Sequence, residues 1–226
     1  MGIEQALIPS PETWLARERP DEPVFFFCPQ RLGDVAGRFL DGFPGVVSYA
    51  VKANPLPEMI EGLWRAGLRV FDVASPAEMA LVRAQCPEAV LHYHNPVRSQ
   101  AEVSAGLAHR CVSWSVDRMS ELEKLAALPA GTEIAVRLKL PVAGAAYDFG
   151  AKFGAEPAGA VTLLRRVAEM GLTPSLTFHP GTQCRGAEPW ARYIHAAAGV
   201  ARDAGVTLHR LNVGGGFPSD RGEGEP

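Results

Sequence analysis

Lys52 closes an apolar, β-favouring run, Val46-Val47-Ser48-Tyr49-Ala50-Val51, and the turn-former Asn54-Pro55 follows almost at once. This pattern predicts a buried strand that delivers one amine to the mouth of a sheet or barrel. A partly desolvated amine there is neutral often enough to attack an aldehyde; the plain alternative is a solvated surface lysine. Asp72 lies between Phe71 and Val73, where a buried carboxylate needs a partner, and Lys52 or Arg137 is the expected one. Arg137 sits in an apolar strand pattern and is expected to face a charge or an anionic ligand. His179, between Phe178 and Pro180, is either a core histidine satisfied by backbone or a ring that stacks on a flat ligand. Gly214-Gly215-Gly216 offers backbone N–H groups with no side chain in the way, which suits a phosphate dianion or, more plainly, a loop. Thr182, just after Gly181, adds a hydroxyl, whereas Arg98, Arg110 and Arg185 read as ordinary solvated residues. An amine, a carboxylate, an arginine, a stacking ring and a phosphate nest together make the inventory for holding a phosphorylated aldehyde as a Schiff base.

The elements that must position these groups alternate. Strand patterns fall at 24–28, 46–51, 69–73, 89–93, 111–115, 133–139, 174–179 and 208–213, and helical patterns at 30–41, 57–66, 76–85, 98–107, 118–127, 157–170 and 187–204. Ser75-Pro76-Ala77-Glu78 combines an N-cap serine, proline at the first helical position and a capping-box glutamate. Gly171 and Gly205 stand where C-terminal caps belong. Strict βα alternation predicts a parallel sheet covered by helices. An open doubly wound sheet would carry its glycine-rich turn after the first strand. Here that turn follows the last strand, as in (β/α)8 barrels, so an α/β barrel of the TIM type is expected. The candidate residues then gather on one face, because barrel strands end at the active rim. The long connection 140–156, rich in glycine and alanine, is expected to be mobile or interfacial.

Composition narrows the classes. With 226 residues, 47% hydrophobic and 21% charged, the chain has the make-up of a soluble globular protein or a large piece of one. A net charge of -3 without a basic stripe argues against nucleic-acid or membrane partners. Cys28, Cys86, Cys111 and Cys184 are scattered without metal-ligand or disulfide spacing, so reduced thiols, a cytoplasmic location and no metal are expected. No signal peptide or membrane-length apolar run is evident.

Six motifs carry a resemblance. YAVKAN (49–54), FDVAS (71–75), HNP (94–96), GAKFG (150–154), FHPGTQC (178–184) and NVGGGFP (212–218) resemble, in order, the barrel domain of fold-type III pyridoxal-phosphate decarboxylases, the ornithine, diaminopimelate and arginine decarboxylase group, with the ornithine enzymes nearest. The resemblance implies pyridoxal 5'-phosphate as cofactor, bonded covalently to Lys52 and contacted by Asp72, Arg137, His179, Thr182, Gly214, Gly215 and Gly216. Lys52 and His179 are the implied catalytic residues, and Lys152 the implied dimer contact. Thr182 stands where the family usually has serine, and Pro180 where it usually has valine. The implied domain plan is an arm and strand (1–28) that join a β domain, then a barrel (29–226) with about seven of eight strands. The strand carrying a Glu-Pro-Gly-Arg motif and the C-terminal β domain are not in the sequence, which suggests the front part of a longer protein. The implied activity is decarboxylation of a basic amino acid, ornithine first and lysine next, to a diamine of polyamine biosynthesis, by a homodimer. The alternatives are a non-catalytic, regulatory relative and a pyridoxal-phosphate carrier.

Overall fold

A computed structural model of the chain describes residues 10–140, 153–184 and 186–218. Seven parallel strands form one sheet in sequential order: β1 (Ser48–Ala50), β2 (Val70–Val73), β3 (Val90–Tyr93), β4 (Cys111–Val116), β5 (Glu133–Arg137), β6 (Thr173–Thr177) and β7 (Leu211–Asn212). Each strand pairs only with its sequence neighbours, so the curled sheet has β1 and β7 as its two edges among the described residues. This is the expected barrel, with seven strands present. Eight α-helices, α1 (Pro11–Glu18), α2 (Pro29–Gly42), α3 (Pro57–Arg65), α4 (Pro76–Gln85), α5 (Gln100–Ala108), α6 (Met119–Glu123), α7 (Pro157–Glu169) and α8 (Glu188–Ala204), and one 3-10 turn (Val51–Ala53) complete the described elements. Helices α2 to α5 pack side by side along one half of the sheet, and α7 lies against α8 on the other.

The helix boundaries have local causes. Ser75 caps α4 by accepting the Glu78 N–H, and Pro76 occupies the first turn. The return arm of the expected capping box is shifted by one residue: the Glu78 carboxylate takes the Ala74 N–H at 2.8 Å. A complete capping box forms instead at Ser99–Glu102, at the start of α5. Gly205 ends α8 with φ 72°, a left-handed conformation suited to glycine. The core between sheet and helices is aliphatic and aromatic, with Phe71, Leu91, Trp114, Ile134, Leu164 and Leu176 fully buried.

One expectation fails here. Residues 24–28 form no strand; they run irregularly into α2, and Phe25 is 95% exposed. The described residues offer no strand partner there, and Phe26 instead meets Trp14 of α1 edge-on. That helix lies in the segment read as a lead-in arm. Lys152, Arg185 and most of the 140–156 connection lie outside the described residues. No helix among the described residues is long and apolar enough to cross a membrane.

Candidate active site

Lys52 does not sit on the strand itself. β1 ends at Ala50, and Val51–Ala53 forms a 3-10 turn that buries Val51 and leaves the Lys52 side chain exposed. The partial desolvation expected for this amine is therefore not present, because β1 is an edge strand with no described neighbour on its outer side. The turn is fixed by Asn54, whose Oδ1 accepts the Leu56 N–H at 3.2 Å and whose carbonyl accepts the Tyr49 hydroxyl at 3.3 Å.

Asp72 lies on β2 in register with Ala50 and His92. Its expected partner was Lys52 or Arg137. The structure gives it Ser48 and two histidines instead: the Ser48 hydroxyl donates to Oδ2 at 3.2 Å, and Oδ1 stands 3.3 Å from His94 Nδ1 and 3.8 Å from His92 Nδ1. Lys52 acts on Asp72 only through its field, and Arg137 is not among its partners. The reason is strand geometry. Residues two apart on a strand share a face, so His92 and the following His94 both project inward beside Asp72. Burial pushes the Asp72 carboxyl above its ordinary range, opposed by His92, the Ser48 bond, Lys52 and Arg210.

Below and beside this carboxylate lies a polar network that the sequence reading did not include. Arg210 donates from Nη1 to His92 Nε2 at 2.9 Å and pairs with Glu133 at 3.4 Å. His94 Nε2 meets Ser113 Oγ at 3.0 Å, and Asn212 Nδ2 meets His94 Nδ1 at 3.1 Å. Asp72, His92 and His94 have the spacing of metal ligands, with donor atoms within 4.8 Å of one another. However, Arg210 occupies the His92 Nε2 lone pair and Asn212 the Nδ1 lone pair of His94, so the arrangement serves hydrogen bonding. Burial holds His92 at about 3 and His94 at about 4, both neutral rings at physiological pH. The sequence signal was the His-x-His spacing within an apolar strand.

His179 follows β6, and its Nδ1 accepts the Gly181 N–H at 3.2 Å. Burial, helped by the positive fields of Arg137 and Lys52, brings its pKa down to about 4. The ring is thus a neutral plane close to two cations. Arg137 ends β5 and lies 5.4 Å from the Phe153 ring centroid; burial disfavours its charge while Asp117 supports it. The glycine triplet packs directly on the 178–184 loop. A Cβ on Gly214 would meet Phe178 O at 2.2 Å, one on Gly215 would meet His179 Nε2 at 3.2 Å, and one on Gly216 would meet Gly181 O at 2.4 Å. Cys184 N–H bonds to the Gly216 carbonyl at 2.9 Å. Thr182, half-buried, lies in the same loop next to Gly181, which touches the triplet. The Gly214 N–H is already committed to Asn212 Oδ1 at 2.8 Å. Gly215 and Gly216 donate to no other described residue, which leaves the open part of the nest with them.

One cationic residue was misread. Arg98 is 3% exposed, not solvated. Its Nη2 bonds the carbonyls of Asn95 and Ser115, and its guanidinium lies 4.9 Å from the Tyr93 ring centroid. It pins the turn after β3 to β4 and stays outside the candidate site.

The curled parallel sheet, with an amine, a carboxylate, a neutral imidazole and a glycine nest at its strand ends, defines a barrel of the class that carries pyridoxal chemistry. The chain belongs to the family described as pyridoxal-dependent decarboxylase, pyridoxal binding domain, whose model matches residues 34–226. Among its relatives, the lysine/ornithine decarboxylase of Selenomonas ruminantium is 32% identical over 177 residues, covering 76% of this chain and 45% of the relative. Human antizyme inhibitor 2 is 28% identical, covering 89% of this chain and 45% of the relative. The crystal structure of the lysine/ornithine decarboxylase of Vibrio vulnificus complexed with putrescine superposes with a TM-score of 0.78 at 26% identity, covering 92% of this chain and 56% of that one. The chain spans about half the length of these proteins.

Proposed function

We propose that this chain is the cofactor-binding part of a pyridoxal-phosphate-dependent decarboxylase acting on a basic amino acid, ornithine first and lysine next, to give a diamine for polyamine synthesis. The observation that carries this reading is the glycine triplet folded edge-on against a neutral His179 that feels both Lys52 and Arg137. The residues present fit pyridoxal phosphate. Two uncommitted glycine amides suit its phosphate, an accessible amine suits its aldehyde, and a flat uncharged imidazole suits its ring.

In this reading Lys52 would bond the aldehyde, Gly215, Gly216 and Thr182 would bind the phosphate with Gly214 holding their turn through Asn212, His179 would stack on the ring, and Arg137 and Asp72 would set the charge around it. When bound, pyridoxal phosphate supplies the electron sink that decarboxylation needs. The protein orients the scissile bond and excludes water. His179 does its part as the neutral species, since burial disfavours a charged ring there and the nearby Arg137 adds to the effect. Residues 29–226 are the incomplete barrel domain, and 1–28 the arm towards a β domain. The complete protein works as a homodimer in the cytoplasm, with Lys152 at the dimer contact.

Incubation with pyridoxal phosphate, borohydride reduction and mass mapping tests this. The cofactor mass should appear on Lys52; its appearance on Lys124, Lys139 or Lys152 overturns the assignment. The likeness to antizyme inhibitor 2 supports a second reading, a non-catalytic regulatory relative. Carbon dioxide release from ornithine and lysine separates the two.

A further inference from the structure

We propose that His94 is a positioning residue for the phosphate site: it tethers the glycine turn to the floor of the barrel through Asn212 and holds that turn in register with Asp72. This inference rests on the reading of the glycine turn as the phosphate nest.

The bond directions form one consistent chain. The Gly214 N–H can only donate, so Asn212 Oδ1 is its acceptor at 2.8 Å. The other end of that amide, Nδ2, must then donate, and it meets His94 Nδ1 at 3.1 Å. His94 Nδ1 is therefore the acceptor, which places the ring proton on Nε2, facing Ser113 Oγ at 3.0 Å. Ser113 on β4, His94 after β3, Asn212 on β7 and the turn at Gly214 are thereby joined across the barrel interior. Asp72 Oδ1 stands 3.3 Å from the same Nδ1 and has no hydrogen bond of its own. Nδ1 has one in-plane position, which as a lone pair accepts from Asn212 and as an N–H donates to Asp72, so the two partners exclude each other there. With Nδ1 unprotonated, Asn212 occupies it and the glycine turn is anchored. With a proton on Nδ1, the ring would pair with Asp72, and Asn212 would lose its acceptor. The turn needs such an anchor because Gly214 packs against Phe178 O with φ 70°, and its N–H aims away from the nest into Asn212. The two free amides of Gly215 and Gly216 inherit their direction from it.

Two isosteres separate a tether from mere filling. Asn in place of histidine reproduces an acceptor near Nδ1, and Gln reproduces a donor near Nε2. The tether predicts that His94→Asn keeps native affinity for pyridoxal phosphate, while His94→Gln and Asn212→Ala bind it about tenfold more weakly, the effect of one lost hydrogen bond in a preorganised site. All four proteins should bind pyridoxal, which lacks the phosphate, equally. Nitrogen-15 NMR of the native protein should show His94 protonated on Nε2, and the Gly214 amide should exchange faster in His94→Gln than in His94→Asn. A His94 ring protonated on Nδ1, equal losses for Asn and Gln, or a parallel loss of pyridoxal binding would overturn the proposal. If Lys52 is not trapped by the cofactor but the Gly214 amide still distinguishes Asn from Gln, the functional reading fails and the tether stands. If Lys52 is trapped and the variants bind alike, the reverse holds.

Discussion

Gly214→Ala is the sharpest probe of how the turn is built. Two costs combine at this position. The backbone is held at φ 70°, where an L-residue with a Cβ loses roughly 1–2 kcal/mol. The new Cβ would also lie 2.2 Å from Phe178 O and 2.9 Å from His179 Cα, and both obstacles are backbone. Relieving such overpacking costs roughly 1–3 kcal/mol. A total of about 3 kcal/mol in a chain of this size lowers Tm by roughly 6–12 °C. Gly205→Ala is the matched control. It has φ 72° with nothing within 4 Å of its Cβ, so only the conformational cost applies, about 1 kcal/mol and roughly 2–4 °C. Gly33→Ala, in α2 with open space around it, removes a flexible helical glycine and should stabilise by about 0.5–1 kcal/mol. Differential scanning calorimetry of the three variants under one set of conditions gives the ranking. A Gly214→Ala protein no less stable than Gly205→Ala would refute the close approach of the turn to the 178–184 loop. Displacement of His179 in the Gly214 variant should also weaken pyridoxal phosphate binding, which Gly205→Ala leaves alone.

Arg98→Met should lower unfolding free energy by about 2–4 kcal/mol in urea titration, because two charged hydrogen bonds to the Asn95 and Ser115 carbonyls disappear and leave buried acceptors; a loss below about 0.5 kcal/mol would return Arg98 to the surface. Acid should destabilise the protein through its histidines. The folded state holds His92 at about 3 and His94 and His179 at about 4, below the ordinary histidine value of 6.5, so the unfolded chain takes up protons that the folded state refuses. The stabilising contribution is present above 6.5 and is lost as pH falls through 4. Asp72 acts in the opposite sense, since its raised folded pKa favours the fold at low pH. Urea midpoints from pH 7 to pH 4.5 should fall, and more steeply in Asp72→Asn than in the native protein; a flat profile would place the histidines in water.

The sheet was legible from the sequence because each strand is a short apolar run bounded by its own helix. Observed β2, Val70–Val73, and α4, Pro76–Gln85, sit almost where pattern and caps put them. Less was legible where packing decides. The pattern at 118–127 gives only α6, Met119–Glu123, because the next turn tightens into bonds from Leu125 N to Leu122 O and from Ala126 N to Glu123 O ahead of Pro129. The run 24–28 looked like a strand because its residues favour one, but a strand needs a neighbour. Arg98 stands in a polar context, His-Asn-Pro-Val-Arg-Ser-Gln, which says nothing of the carbonyls that only the folded chain brings to it. In the site, each candidate residue was visible as a polar interruption at a strand end, while their pairing was not. Asp72 took Ser48 and His94 in place of Lys52, because neighbouring strands place those groups closer.

The outer border of β1, which pairs with no other strand among the described residues, makes Lys52 a residue of the seam. Its side chain is exposed there. Any segment that covers that border, from this polypeptide or another, would strip water from the amine and favour the uncharged form that can react. Closing the barrel and arming the nucleophile would then be one physical event, so that reactivity would report on assembly.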